Sequence, residues 1–226
     1  MTASIRHKQE PLTVTNPTRV LLVDDHAVVR MGYKTLMETT GEVEIVAEVG
    51  SGEDAIRLFG EVKPQVTIMD LSLPGIGGLE AIRRIVTKNP GAKILAFSMH
   101  EDLVFVEQAL QAGATGYISK SSAPTILLDA VKAVADGSIY LDPDIAQKLA
   151  FQKARGSGFS LSNFSTREFE IFCMLAEGQT VNEIAEKLAL SSKTIANYIT
   201  QVKNKLEVNS MAELTRLAIR HGLVEP

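Results

Sequence analysis

Cysteine occurs once in this chain, at position 173. That excludes an internal disulfide and a cysteine-only metal site. Cys173 falls among Glu168, Ile171, Phe172 and Leu175 at helical spacing, so it reads as a small core side chain rather than a nucleophile. No apolar run approaches the roughly 20 residues needed to cross a bilayer. Residues 1–17 carry Arg6, His7 and Lys8 with no apolar block behind them, which fits a short disordered lead better than a signal peptide and points to the cytoplasm. A basic excess is also missing. Net charge is −4. Residues 17–137 hold 11 Lys and Arg against 16 Asp and Glu, and residues 164–226 hold 7 against 8. Strong nonspecific nucleic-acid binding is thereby excluded, and any DNA contact must rest on one face of one helix. There is no internal repeat or low-complexity tract.

What the chain has is alternation. At 226 residues, 45% apolar and 22% charged, it has the composition of one large or two ordinary globular domains. Short apolar runs at 20–23, 43–49, 66–69, 93–97 and 116–118 read as strands. Amphipathic stretches at 28–38, 53–59, 79–87, 104–111 and 125–135 read as helices. Five strand-then-helix units imply a parallel sheet covered on both faces by right-handed crossovers. Gly41 suits the end of the first helix, Ser51 with Asp54 a capping box, and Pro124 a first helical turn.

After Gly137 the pattern loosens. Residues 142–155 form a loose helical pattern with Ile145, Leu149 and Phe151 on its apolar side, and Gly156-Ser157-Gly158 is a breaker. The remainder is helical. Ser165 with Glu168, Thr180 with Glu183 and Ser210 with Glu213 are capping-box pairs, Gly178 and Gly222 are stops, and Ala189-Leu190-Ser191 is a tight turn before a helix over 192–206. Four helices with that turn make a helix-turn-helix module. The expected division is a lead at 1–17, an α/β domain at 18–137, a linker with a helix at 138–160, and an all-α domain at 161–226.

Asp24 and Asp25 follow the first strand and Asp70 follows the third. In a doubly wound sheet these strands are neighbours, so three carboxylates meet where such sheets bind ligands. Anions that close repel unless a positive charge sits among them, and an all-oxygen set suits Mg2+. Ser98 ends the fourth strand and Lys120 follows the fifth. A hydroxyl and an ammonium beside such a carboxylate form a site for a phosphoryl group, with Asp70 as nucleophile. Each residue alone has an ordinary reading as cap, turn former or solvated lysine. Their joint position at strand carboxyl ends argues for a site. A haloacid-dehalogenase-type phosphatase requires a second acid two residues on, where this chain has Ser72. A dinucleotide loop requires G-x-G-x-x-G; Gly75-Ile76-Gly77 starts one, but Glu80 stands at its last position.

The stretches Val20-Leu21-Leu22-Val23-Asp24-Asp25-His26, Met69-Asp70-Leu71-Ser72-Leu73-Pro74-Gly75, Phe97-Ser98-Met99 and Gly116-Tyr117-Ile118-Ser119-Lys120 together resemble the receiver domain of bacterial two-component response regulators, over nearly all of residues 18–137. The resemblance implies a flavodoxin-like, doubly wound, five-stranded parallel sheet of order 2-1-3-4-5. It implies that Asp70 accepts a phosphoryl group from a sensor histidine kinase. Asp25, Asp70 and the backbone carbonyl of Ser72 would bind Mg2+, with Asp24 acting mostly through water. Lys120 would pair with the phosphoryl oxygens, and Ser98 and Tyr117 would be the switch pair. As a residue alone, Tyr117 reads equally as an edge-strand aromatic. The chain departs from many receivers in having Ser at 98 for Thr and Ser at 121 for Pro.

In the helix over 192–206, Ile195, Ile199, Val202 and Leu206 define a buried side. Lys193, Ala196, Asn197, Thr200, Gln201, Lys203 and Asn204 lie outside, with Ser192 and Thr194 at its start. Amides can pair with adenine edges in a major groove, and lysines and hydroxyls can take phosphates. A solvated surface has the same composition; the short helix and tight turn before it favour double-stranded DNA. Phe164-Ser165-Thr166-Arg167-Glu168, Ala176-Glu177-Gly178, Asn182-Glu183-Ile184-Ala185, Leu190-Ser191-Ser192-Lys193-Thr194-Ile195, Lys205-Leu206 and Gly222-Leu223 are similar to the LuxR-type module of the NarL/FixJ branch. Where that family commonly has Lys-x-His, this chain has Ala196-Asn197-Tyr198. The family also implies dimer contact through the last helix, with Leu214, Leu217 and Ala218.

The expectation is a phosphorylation-controlled transcriptional regulator that binds operator DNA as a homodimer when active. It spans no membrane and catalyses only its own phosphoryl transfer and dephosphorylation. The alternative is a phospho-switched regulator whose helical domain docks a protein instead of DNA.

Overall fold

The computed structural model describes residues 16–154, 161, 163–221 and 223–224. Most of the expected lead, the Gly156-Ser157-Gly158 breaker and the Gly222 stop lie outside the described residues.

The sheet is built from β1 (Thr18–Val23), β2 (Val43–Val49), β3 (Val66–Asp70), β4 (Ile94–Ser98), β5 (Gly116–Ser119) and β6 (Tyr140–Leu141). Its order is β2-β1-β3-β4-β5-β6, with every pair parallel. The five expected strands are there in the expected order. The sixth, of two residues, extends the edge by pairing Tyr140 with Gly116 and Leu141 with Tyr117. Tyr117 is thus on an interior strand and fully buried, which removes its reading as an edge aromatic.

Helices α1 (Ala27–Thr39) and α5 (Pro124–Ala135) cover one face; α2 (Gly52–Val62), α3 (Gly77–Lys88) and α4 (Leu103–Ala112) cover the other. β3 and β4 are buried along their whole length, as central strands of a covered parallel sheet must be. Gly41, at φ 69°, follows α1, and Pro124 opens α5. The Ser51 hydroxyl accepts the Asp54 amide at the start of α2.

α6 (Pro143–Ala154) leads to α7 (Thr166–Ala176), α8 (Val181–Lys187), α9 (Ser192–Leu206) and α10 (Met211–Arg220). α7 and α8 start with reciprocal capping boxes at Ser165 and Thr180, each cap stabilising by about 1 kcal/mol. At Ser210 the box is displaced by one residue: Glu213 reaches the amide of Asn209. Between α8 and α9, Ala189 takes a left-handed φ of 52° and turns the chain. Ile195 and Val202 of α9 are fully buried, while Ile199 and Leu206 are only partly covered. Leu214 and Ala218, read above as dimer contacts, are fully buried in the domain's own core. They cannot also meet a second copy without unpacking it.

The apolar core on the α3/α4 side runs without a break into the helical domain. Phe105 of α4 meets Phe169 of α7 edge to face at 5.1 Å, a geometry contributing about 0.5–1.5 kcal/mol beyond burial. Gln108 Nε2 donates to the Leu161 carbonyl at 2.9 Å.

Candidate functional site

The strand order sets β1 beside β3, and the carboxylates come together at their carboxyl ends. Ligand atoms of Asp24, Asp25, His26 and Asp70 lie within 4.8 Å of one another. Asp24 and Asp70 are each 1% exposed. Between them sits Lys120 from the end of β5, its Nζ donating to Asp24 Oδ2 at 2.7 Å and Asp70 Oδ2 at 2.6 Å. The Ser72 amide donates to Asp70 Oδ1 at 3.0 Å, and the His26 amide to Asp24 Oδ1 at 2.8 Å. Asp25 is more open and has His26 Nδ1 at 2.8 Å.

Burial pushes the Asp70 carboxyl above its ordinary range, against the pull of the Lys120 ammonium and the Ser72 amide. Lys120 is affected oppositely. Burial alone would favour its neutral form, but hydrogen bonds to Asp24 and Asp70 raise its pKa and keep it charged. Three carboxylates outnumber the cations beside them, the Lys120 ammonium and the Arg30 guanidinium that donates to the Asp24 carbonyl. The donors are oxygens apart from His26, so a hard divalent cation fits this set in charge and chemistry.

Ser98 is fully buried at the end of β4, next to Phe97, which pairs with Asp70. Its hydroxyl accepts the His100 amide at 3.2 Å, and the Tyr117 hydroxyl donates to the His100 carbonyl at 2.7 Å. The imidazole of His100 stacks on Phe105 at 3.9 Å and 6°. The Ser98–Tyr117 pair therefore converges on the segment leading into α4. Sequence reasoning passed over His100, and its signal was its place two residues past Ser98. His26 was likewise not singled out, although it directly follows Asp25.

The β3–α3 connection admits no bulk. A Cβ on Gly78 would lie 2.0 Å from the Asp70 carbonyl oxygen, so only glycine lets α3 start this close to Asp70. Helix α7 sits against the same connection. Gly77, at φ 70°, faces the Glu170 carboxylate, and Arg167 approaches Glu80 at 3.9 Å. A cavity of about 160 Å³ lies between the halves, bounded by Ser72, Leu73, His100, Phe105, Phe169 and Cys173 among others.

On α9, Ser192, Lys193, Ala196, Asn197, Thr200, Gln201 and Asn204 are exposed, while Thr194 and Lys203 are partly covered. The hydroxyl hydrogens are partly committed: Ser192 donates to Asn182 Oδ1 at 3.0 Å and Thr200 to the Ala196 carbonyl at 3.0 Å. Thr194 shares a hydrogen bond with the capping Ser191. Among the described residues, no side-chain bond engages Lys193, Asn197, Gln201, Lys203 or Asn204. Amides and ammoniums are therefore among the α9 donors left for an outside partner.

Residues 20–132 match the response regulator receiver domain, and residues 162–218 match the bacterial regulatory proteins of the luxR family. The chain is a two-component response regulator of the NarL/FixJ family. It carries a receiver and a LuxR-type DNA-binding domain, as do transcriptional regulators of this family. The transcriptional activator protein ExaE of Pseudomonas putida is 43% identical over 208 residues, covering 91% of this chain and 97% of that protein. Response regulator UvrY of Escherichia coli K12 is 40% identical, covering 90% and 94%. Among solved structures, RcsB from Salmonella enterica serovar Typhimurium, bound to promoter rprA in the presence of the phosphomimetic BeF3−, superposes with a TM-score of 0.69. It is 28% identical, covering 89% of this chain and 98% of that one. The fold of this response regulator is accordingly a flavodoxin-like receiver joined to a helical DNA-binding domain.

Proposed function

We propose that Asp70 is the phosphoryl acceptor, and that its phosphorylation by a sensor histidine kinase controls operator binding through α9. The observation that carries this is Lys120, hydrogen-bonded at once to Asp24 and Asp70 in a buried acid cluster. An Asp70 oxygen attacks the phosphorus of the donor, a new O–P bond forms, and the bond to the kinase imidazole nitrogen breaks with its electron pair leaving on nitrogen. The Ser72 amide and Lys120 hold the carboxylate in place, and Lys120 moves to the incoming phosphoryl oxygens. Asp25, Asp70 and the Ser72 carbonyl would hold Mg2+, with Asp24 acting through water; the cation would offset negative charge on the phosphoryl group. Ser98 and Tyr117 form the switch, reporting the new charge to the segment before α4. The chain turns over no separate substrate and works in the cytoplasm.

The receiver extends over 18–137 and the DNA-binding domain over 161–226, with 138–160 joining them. α7 rests on the β3–α3 connection that carries Ser72, so a shift of that loop on phosphorylation loosens α7. The freed domain then pairs with a second copy and presents two recognition helices to half-sites. Lys193, Asn197, Gln201, Lys203 and Asn204 supply donors to DNA, and Ser192, Thr194, Ala196 and Thr200 complete the face. Asp70→Asn is expected to abolish incorporation of labelled phosphate from acetyl phosphate; undiminished labelling rejects the assignment.

A further inference from the structure

We propose that the buried carboxylate pair Glu170–Glu80, where α7 meets α3, is a proton-binding site whose occupancy holds the two domains of this regulator together. The proposal rests on the docked arrangement described above and gives its regulation a second input.

Glu170 is 9% exposed and Glu80 3%. Glu80 is well supplied with cations: Arg83 and Arg84 donate to it at 2.7–2.8 Å, and they hold its carboxyl below the ordinary range despite burial. Glu170 is not. Its Oε2 takes one bond from Arg167 at 2.9 Å, while Oε1 is buried with no hydrogen-bond partner. Oε1 points at Gly77, where even a Cβ would approach to 2.7 Å. An ionised oxygen left so is costly, and a carboxyl relieves that cost by taking up a proton. In keeping with this geometry, burial pushes Glu170 up to about 7, with the help of the Glu80 charge and against the pull of Arg167, the Glu80 backbone amide and Arg84.

The orphan oxygen faces the other domain. Gly77, Glu80, Arg83 and Arg84 belong to the receiver, whereas Arg167 and Glu170 share α7. The other titratable groups lining the adjacent cavity are His100 of the receiver, Cys173 and Glu177 of α7, and Lys187 of α8. With acids, a lysine and a histidine together, that cavity selects no one charge of small molecule. The proton is the ligand that the orphan oxygen does select.

The sign follows from linkage. Docking raises the pKa of Glu170, so docking is strongest when the group is protonated and weakens as pH rises through about 7. With the undocked side chain in the ordinary range, the docking constant falls about tenfold between pH 6 and pH 8.5. Acid therefore holds the domains closed and opposes release by phosphorylation.

Cys173, the single thiol, lines the cavity and serves as the probe. Full-length wild type and Glu170→Gln are labelled with a bulky thiol reagent at each pH, without DNA, kinase or phosphoryl donor. The variant at the same pH cancels the ionisation common to both thiols; the Glu170 charge itself raises the Cys173 pKa, which slows the wild type and so opposes the expected rise. The ratio of wild-type to variant rates should rise about tenfold from pH 6 to pH 8.5. The side-chain carboxyl carbon-13 resonance of Glu170, assigned by its loss in Glu170→Gln, should titrate near neutrality. A flat ratio, or a Glu170 midpoint in the ordinary carboxylate range, overturns the proposal. Neither readout depends on Asp70 accepting phosphate or on α9 reading DNA, so failure of those roles stays distinguishable.

Discussion

Replacing Lys120 by Met tests most of the receiver site at once. The substitution keeps the apolar stem and removes only the charge. What it leaves is Asp24 and Asp70, both 1% exposed, without the ammonium that now bonds them at 2.7 and 2.6 Å. Removing one partner of a buried ion pair costs about 3–5 kcal/mol, because the other charge is stranded out of water. Here two charges are stranded and they repel each other. Burial already pushes the Asp70 carboxyl up, and loss of the ammonium that pulls it down raises it further in the variant. Its penalty is therefore full at high pH and is relieved as pH falls and one acid takes up a proton.

Urea unfolding of the full chain, followed by circular dichroism, should show Lys120→Met less stable than wild type by about 3–5 kcal/mol at pH 8. At pH 5.5 the difference should be smaller. Adding Asp70→Asn removes one stranded charge, so the double variant should regain about 1–3 kcal/mol at pH 8, a coupling typical of residues in contact. A loss below about 1 kcal/mol at pH 8, the magnitude of an exposed ion pair, would refute the shared buried site.

Gly78→Ala forces a Cβ to 2.0 Å from the Asp70 carbonyl oxygen, a backbone atom that cannot swing away. Denaturant titration should register a loss of at least about 1–3 kcal/mol, and wild-type stability would show that the connection is loose. On α9, Asn197→Ala should weaken operator binding by about 1–3 kcal/mol and relax base preference at one position. Lys193→Ala should weaken binding evenly across sequences and reduce the salt slope by about one, with unchanged circular dichroism. Binding that is unaltered at matched salt removes the residue concerned from the DNA face.

The strands and helices of the receiver were legible because each apolar run is bounded by its own cap or turn and buries a regular set of positions. The acid cluster was legible for a geometric reason: three carboxylates at the ends of adjacent strands have nowhere else to point. β6 was not legible, since Tyr140 and Leu141 are too few to show a period and owe their pairing to the open edge of β5. The contact between domains was hidden differently. Arg167, Glu170, Glu80, Arg83 and Arg84 look like two solvated charged helix faces, yet in the folded chain these faces meet and Glu80 and Glu170 are buried. Leu214 and Ala218 misled in the opposite sense. Their helical spacing marks an apolar stripe without saying whether it faces a second copy or the domain's own core.

Helix α7 couples the two halves because its faces have different partners. Phe169 and Glu170 meet the receiver, while Ile171, Phe172 and Leu175 are buried in the apolar core that holds Ile195 and Val202 of α9. At its start, Glu168 closes the capping box and also accepts Lys205, near the end of α9, at 2.6 Å. Lys205 further donates to the Asn163 carbonyl at 2.7 Å. α7 and α9 are thus tied by packing and by this bridge, and a force that moves one carries the other. None of these ties involves the receiver, so the proposed undocking is expected to displace α9 as a rigid unit without reshaping it. The α9 face is already formed and exposed in the docked chain. On the proposed reading, control by Asp70 acts on where that face can go and what it can pair with, since the face itself needs no assembly.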